Sequence, residues 1–243
     1  MNMKLDKNWT TDNNGFALND EEVQRYISVV PTPSQVRLQD KPFYGFFHFG
    51  MNTANDREWG CGSEVASDFD ITKIKPEQWV KTVKAAGMTG VILTCKHHDG
   101  FCLWPSAYTA YSVKASPFKN GNGDVVKEVS DACRKYGLKF GIYLSPWDRH
   151  EESYGKGEEY NEYYKNQLRE LLTNYGDIFC IWLDGACGEG KNGKVQEYDW
   201  PGYYKVMREL QPNATINVCG PDVRWVGNEA GVGRVSEWSV VPS

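Results

Sequence analysis

No stretch of this sequence approaches the roughly 18–20 consecutive apolar residues that a membrane-spanning helix needs, which excludes a helical spanning protein. The opening residues, MNMKLDKNWTTDNNG, lack the apolar core of a secretory signal. An excess of positive charge is missing too: 27 Lys and Arg stand against 32 Asp and Glu, a formal net charge of −5. That balance argues against phosphate-backbone binding, so nucleic acid is excluded as the main partner. Paired cysteines of the CxxC kind are absent, and the 7 cysteines are an odd number. Several lie inside apolar runs, so buried free thiols are expected rather than disulfides. No GxGxxG follows an apolar run, and no serine-centred nucleophile elbow occurs. Dinucleotide binding and serine-hydrolase chemistry are therefore set aside.

Aromatic residues, by contrast, are plentiful: 9 Trp, 14 Tyr and 10 Phe, 14% of the chain. They suit either a bulky core or a pocket of flat apolar faces, the kind that ring-shaped ligands favour. Along the chain, short apolar runs alternate with segments of helical period. The runs are residues 43–51, 90–98, 139–147, 178–185 and 215–220, with a weaker sixth at 233–238. Each is continuous and rich in β-branched or aromatic residues, as strands buried on both faces are. Helical segments are expected at 76–87, 124–137, 158–176 and 201–210, three of them ending at glycine. The β-α-β-α series predicts an α/β fold with a parallel sheet and right-handed crossovers, a βα barrel or an open sheet; the length suits a TIM-like (β/α)8 barrel, with five to six strand–helix units present. Residues 1–42 read as an N-terminal extension with a short helix at 20–29 halted by Pro31 and Pro33, and 43–243 as the barrel.

Active sites of such folds lie at the carboxyl ends of the strands. Those ends carry the most unusual residues here. The first run ends in His48, with Glu58 and Trp59 after it. The second ends in Lys96, His97, His98 and Asp99. Tyr143, Trp147 and Asp148 close the third, and Trp182 with Asp184 the fourth. Beyond the fifth come Trp225, Glu229, Glu237 and Trp238. Singly, each histidine suits an ordinary core or surface position; together, His48, His97 and His98 at adjacent strand ends form a candidate cluster. His97 and His98 are neighbours, so both line one pocket only if the strand ends or bends there.

Asp184, after Ile181-Trp182-Leu183 and before Gly185, is the best single candidate for chemistry. Glycoside hydrolysis needs two carboxyl groups, one to attack or activate water and one to protonate the leaving oxygen. The available partners are Glu58, Glu229 and Glu237. Three other readings compete. The histidines and Asp99 offer metal donors, which suits a metal-dependent hydrolase, but no HxH or HExxH spacing occurs. Residues 185–192 (GACGEGKN) resemble a phosphate loop but lack its final hydroxyl and a prompt helix. An aromatic pocket also serves a sugar-binding protein without turnover.

The series HFG (48–50), EW (58–59), KHHDGF (96–101), SPWD (145–148) and WLDG (182–185) resembles the α-L-fucosidases of glycoside hydrolase family 29. The resemblance spans roughly residues 35–240 and implies a retaining exo-hydrolase of terminal α-L-fucose, with no cofactor and no metal. It places the nucleophile on Asp184 through WLDG. It assigns sugar binding to His48, Glu58, Trp59, His97, His98 and Tyr143, with Trp182 and Trp225 as further pocket residues. The segment WVGNEAG (225–231) is similar to the one carrying the acid/base residue in the branch acting on α-1,3/1,4-linked fucose. That assigns Glu229, with Glu237 as the fallback. The implied partner is a fucosylated oligosaccharide or glycoconjugate, and the implied compartment is periplasmic or extracellular. A full barrel needs about 250 residues, and 243 are present with 42 before the first strand. The expectation is thus a barrel truncated at its C-terminal end, whose open edge a second chain would cover.

Overall fold

Among the described residues, six short strands form one sheet: β1 (Gly45–Phe47), β2 (Gly90–Lys96), β3 (Lys139–Leu144), β4 (Ile178–Leu183), β5 (Thr215–Val218) and β6 (Val223–Arg224). Their order is β1-β2-β3-β4-β5-β6, and every pairing is parallel. This computed structural model describes residues 19–40, 43–71, 73–225, 228–230 and 232–233. A sequential order without reversal is the winding of a (β/α) barrel, in contrast to a doubly wound sheet, whose order turns back at a switch point. The helices are α1 (Asp20–Ile27), α2 (Pro33–Gln39), α3 (Met51–Ala54), α4 (Pro76–Ala85), α5 (Val125–Tyr136), α6 (Glu158–Asn174) and α7 (Trp200–Leu210). Four of them, α4 to α7, connect successive strands from β1 to β5, as the alternation predicts.

Local signals explain where the connecting helices start and stop. Proline stands in the first turn of α4 and of α7, where its missing N–H costs nothing. Asp199 caps α7 by accepting from Gly202 N. Asp124 caps α5 by accepting from Lys127 N at 2.8 Å, and its other oxygen accepts from Tyr175 OH at 2.9 Å. That helix ends at Gly137, whose φ of 68° is the left-handed conformation a side chain would disfavour.

Alternating strand residues feed two cores. Val91, Leu93, Ile142, Leu144 and Ile181 pack outward against Val80, Val129, Leu168 and Leu171 of the helices. On the opposite face, Ile92, Tyr143 and Cys180 gather with Tyr44, Phe179 and Trp182 to form the barrel interior. Burial on both faces is why β2 reads as a continuous apolar run before it ends in the buried Lys96.

Three features differ from the sequence reading. First, β1 covers only three residues of the expected run, because its pairing with β2 stops at Phe47 and Thr94 Oγ1 donates to Phe47 O there. Secondly, Pro33 begins a helix rather than only ending one. Thr32 caps α2, whose Gln35 donates through Nε2 to Asp222 O, fastening the N-terminal segment to the sheet. Thirdly, an additional strand that no apolar run announced lies at Val223–Arg224, and β5 reaches it by a short link instead of a helix. The Asp222 carboxylate braces that link, accepting from Ile216 N at 2.8 Å and pairing with Arg208 at 2.5 Å. Of the expected run 233–238, residues 234–238 lie outside the described residues. All seven cysteines are free: Cys95, Cys102, Cys133 and Cys180 are buried, Cys61 and Cys219 half-buried, and Cys187 exposed.

The cap of α5 is a direct test of this reading. Asp124→Ala should lower unfolding stability by about 1–2 kcal/mol, read as a lower urea midpoint. Asp124→Asn, which keeps an acceptor for Lys127 N, should lose less.

Candidate active site

The second strand delivers its histidines through a bulge. Thr94 pairs with Tyr143 and Lys96 with Leu144, so Cys95 is an extra residue that breaks the alternation. Beyond it, Lys96 turns into the helix layer, and the strand ends before His97 and His98. The bend lets both imidazoles face the pocket side with centroids 4.0 Å apart. His97 also meets the exposed ring of His48 at 4.5 Å and stacks on Tyr143 at 5.8 Å.

Beneath them lies a buried ion pair. Lys96 Nζ meets Asp148 Oδ2 at 2.9 Å with both side chains essentially inaccessible. The ammonium also lies 5.4–5.9 Å from the rings of Tyr160, Tyr163 and Tyr164 on α6, within cation–π range. Asp148 Oδ1 accepts from His150 N and Glu151 N. The motifs KHHDGF and SPWD thus join through opposite charges at adjoining strand ends.

The loop with Glu58 and Trp59 is fastened to the same region. Arg149 Nη1 donates to Gly60 O at 2.9 Å, and His150 Nδ1 to Gly62 O at 2.8 Å. Glu64 accepts from Cys61 N and Gly62 N, closing the loop on itself. A side chain on Gly60 would place its Cβ 2.4 Å from Asp99 Cβ, so only glycine allows this approach.

Asp184 follows the last residue of β4. Its Oδ1 accepts from Ala186 N at 2.8 Å and its Oδ2 from Tyr143 OH at 2.7 Å. His98 Nε2 stands 3.8 Å from the same Oδ2. Burial pulls His98 down to about 4 against the opposing pull of Asp184, with His48, Arg149 and Lys96 adding to the descent. Burial likewise takes His97 to about 2, aided by His98 and His48. Both rings are neutral at ordinary pH.

These groups line a cavity of about 1060 Å³ at the carboxyl ends of the strands. His48, Glu58, Trp59, His97, His98, Tyr143, Trp182, Asp184, Trp225 and Glu229 all border it. Glu58, Trp59, Trp225 and Glu229 are exposed at its rim, the last on a loop where Asn228 and Val232 exchange two hydrogen bonds. Glu237 and Trp238 lie outside the described residues. Sequence reasoning missed Phe46, Asn52, Cys219 and Arg224, which also line the cavity. Phe46 makes edge contacts with Tyr143 and Trp182. Its place inside an apolar run hid it, although strand alternation from Phe47, which packs on Trp79, would have turned it inward. Among the described residues, no group of three or more His, Cys, Asp or Glu is arranged to hold a metal ion.

The sequence profile described as Alpha-L-fucosidase matches residues 19–232. The chain belongs to the α-L-fucosidase family, glycoside hydrolase family 29. Alpha-L-fucosidase 1 of Arabidopsis thaliana is 50% identical over 215 residues, covering 87% of this chain and 42% of that protein. A glycoside hydrolase 29 family member from an unknown rumen bacterium superposes with a TM-score of 0.78 at 52% identity, covering 83% of this chain and 39% of its own. A GH29 fucosidase of Ruminococcus gnavus, solved in complex with fucose, gives a TM-score of 0.76 at 39% identity, with 87% and 48% covered. The chain therefore spans less than half the length of these relatives.

One buried acid beside the cavity, next to His98 in the chain, has a measurable pH signature. Asp99 is buried, with Oδ1 accepting from Phe101 N and Oδ2 lacking a partner among the described residues. Burial pushes it up to about 7, with Glu64 and Asp148 adding to the rise and the Phe101 hydrogen bond opposing it. Between about pH 4 and this value, the unfolded chain releases the proton while the folded chain keeps it. This group therefore makes stability fall as pH rises through that window. Asp99→Asn removes the effect. The denaturant midpoint of the variant minus that of wild type should climb from about pH 4 to 7 and level off above.

Proposed function

We propose that this chain carries the catalytic centre of a retaining exo-α-L-fucosidase acting on terminal α-1,3/1,4-linked fucose of glycans. The observation that carries the reading is Asp184 itself. Its Oδ2 takes a hydrogen bond from Tyr143 and faces His98, inside an aromatic-walled cavity that Glu229 also borders. The fucose held by the Ruminococcus gnavus relative supports the choice of sugar. The linkage rests on the segment 225–231 that contains Glu229.

The chemistry follows from two carboxyl groups with opposed tasks. Asp184, ionised, attacks the anomeric carbon; its C–O bond forms as the glycosidic bond breaks, and Glu229 gives its proton to the departing oxygen. Glu229, now a carboxylate, takes a proton from water, whose oxygen displaces Asp184 from the sugar. Two inversions at one carbon leave the configuration unchanged. Tyr143 and Ala186 N hold the nucleophile's two oxygens in place, so little reorientation is needed before attack. The neutral imidazoles of His97 and His98 suit the hydroxyl groups of an uncharged sugar, and the exposed Trp59 and Trp225 provide flat apolar faces at the rim.

Turnover of an aryl α-L-fucoside tests the assignment together with the stereochemistry of azide rescue. Asp184→Gly should lose roughly 10⁴-fold or more in kcat, and azide attacking from the vacated side should give β-fucosyl azide. Glu229→Ala should lose about 10²–10⁴-fold on substrates whose leaving group needs protonation, and azide should give the α-fucosyl product. Full activity of Asp184→Gly would overturn the nucleophile assignment. The α-azide from Glu237→Ala, with none from Glu229→Ala, would move the acid/base role to Glu237. Release of fucose from α-1,3/1,4-linked but not α-1,2-linked oligosaccharides is the expected selectivity.

A further inference from the structure

The fully buried hydroxyl of Ser145 lies under the site and belongs to neither carboxylate. Its Oγ is 2.8 Å from Trp147 O and 2.6 Å from His98 Nδ1. A hydroxyl has one hydrogen to donate. Trp147 O is a carbonyl and has none, so an oxygen pair at 2.8 Å without a hydrogen between them would repel. The Ser145 hydrogen therefore goes to Trp147 O, and Oγ can only accept from the histidine. His98 Nδ1 must then carry a hydrogen, which in a neutral ring leaves Nε2 bare.

That bare nitrogen is the one facing Asp184. The separation of 3.8 Å between Nε2 and Oδ2 is too long for a direct hydrogen bond, and the only hydrogen directed at that oxygen from the pocket wall comes, among the described residues, from Tyr143 OH. Two lone pairs thus converge on the same part of the cavity. Repulsion between them is relieved when a ligand brings O–H groups to the gap. Were the hydrogen on Nε2 instead, His98 would turn it toward Asp184 and blunt the carboxylate as a nucleophile.

We propose that Ser145 is a positioning residue that locks the His98 tautomer, so that Nε2 and Asp184 Oδ2 present a pair of acceptors to the hydroxyl hydrogens of the bound sugar. This rests on the reading of the cavity as a fucose site, and it names how the site prefers a polyol over a ligand carrying only acceptors there. In Ser145→Ala the Nδ1 hydrogen loses its acceptor. The alternative tautomer, donating from Nε2 toward Asp184, then becomes the better one.

The test is ¹⁵N NMR of the histidine-labelled 243-residue chain at neutral pH without ligand, with His98→Gln assigning the signals, alongside calorimetric titration with L-fucose. In wild type, His98 Nδ1 should be the protonated, pyrrole-type nitrogen and Nε2 the pyridine-type one. Ser145→Ala should move the population toward protonated Nε2 and weaken L-fucose roughly tenfold, the scale of one hydrogen bond. Ser145→Thr, which retains the hydroxyl, should restore both. Protonated Nε2 in wild type overturns the proposal even if the variants fail to fold, as does an unchanged tautomer in Ser145→Ala. The predicted tautomer with no affinity of wild type for L-fucose upholds the lock and overturns the fucose reading instead.

Discussion

The buried pair of Lys96 and Asp148 is the constraint on which the site is assembled. Each residue stands next to side chains of the cavity or its supports: Lys96 precedes His97 and His98, and Asp148 lies between Trp147 and the Arg149–His150 pair that fastens the Glu58–Trp59 loop. Moving either charge moves both motifs. Burying two ions is expensive, and removing one partner of such a pair typically costs about 3–5 kcal/mol because the other is left unpaired. The fold meets that expense with backbone donors on Asp148 and tyrosine faces around the ammonium. The helix layer thereby holds the strand ends in register, and the geometry of the pocket follows from the packing of α6 as much as from the strands themselves.

Much of this was legible in the sequence because burial on both faces of a parallel sheet writes continuous apolar runs. The strands at Gly90–Lys96, Lys139–Leu144 and Ile178–Leu183 begin where those runs begin. Proline and glycine marked the helix ends for a local steric reason that needs no tertiary context. The condition that His97 and His98 share a pocket only if the strand bends was also legible, and the bulge at Cys95 meets it. The bulge itself was not, since nothing in GVILTCK distinguishes an extra residue from a paired one. Helix α2 escaped notice because two prolines suggest a break, while its stability comes from a cap at Thr32 and a distant contact to Asp222. The sixth strand was missed because two residues carry no period.

Polar groups at the carboxyl ends of apolar runs have little other reason to be there, and that position marked His48, His97, His98 and Asp184, while the motif resemblance marked Glu229. The cavity brings those side chains together, whereas lining residues of ordinary type carry no such signal in the sequence. Phe46 looks like core, and Asn52 and Arg224 look like surface. Their place at the pocket wall is decided by where β1 and β6 end. The electrostatic character of the site was likewise hidden. A row of histidines suggests positive charge or metal ligation, whereas burial and mutual repulsion make His97 and His98 uncharged hydrogen-bonding groups.

The free cysteines have a consequence of their own. Cys95, Cys102, Cys133 and Cys180 are sealed in the sheet and helix layers, whereas Cys61, Cys187 and Cys219 are accessible to differing degrees. Alkylation needs an exposed thiolate, so the sealed thiols react only when the packed layers come apart, while the accessible ones react from the folded state. Cys219 borders the cavity itself. The molecule thus carries a built-in chronometer. Mass increments counted over time separate breathing of the pocket mouth from whole-domain opening, and a ligand in the cavity would be registered as the slowing of one thiol.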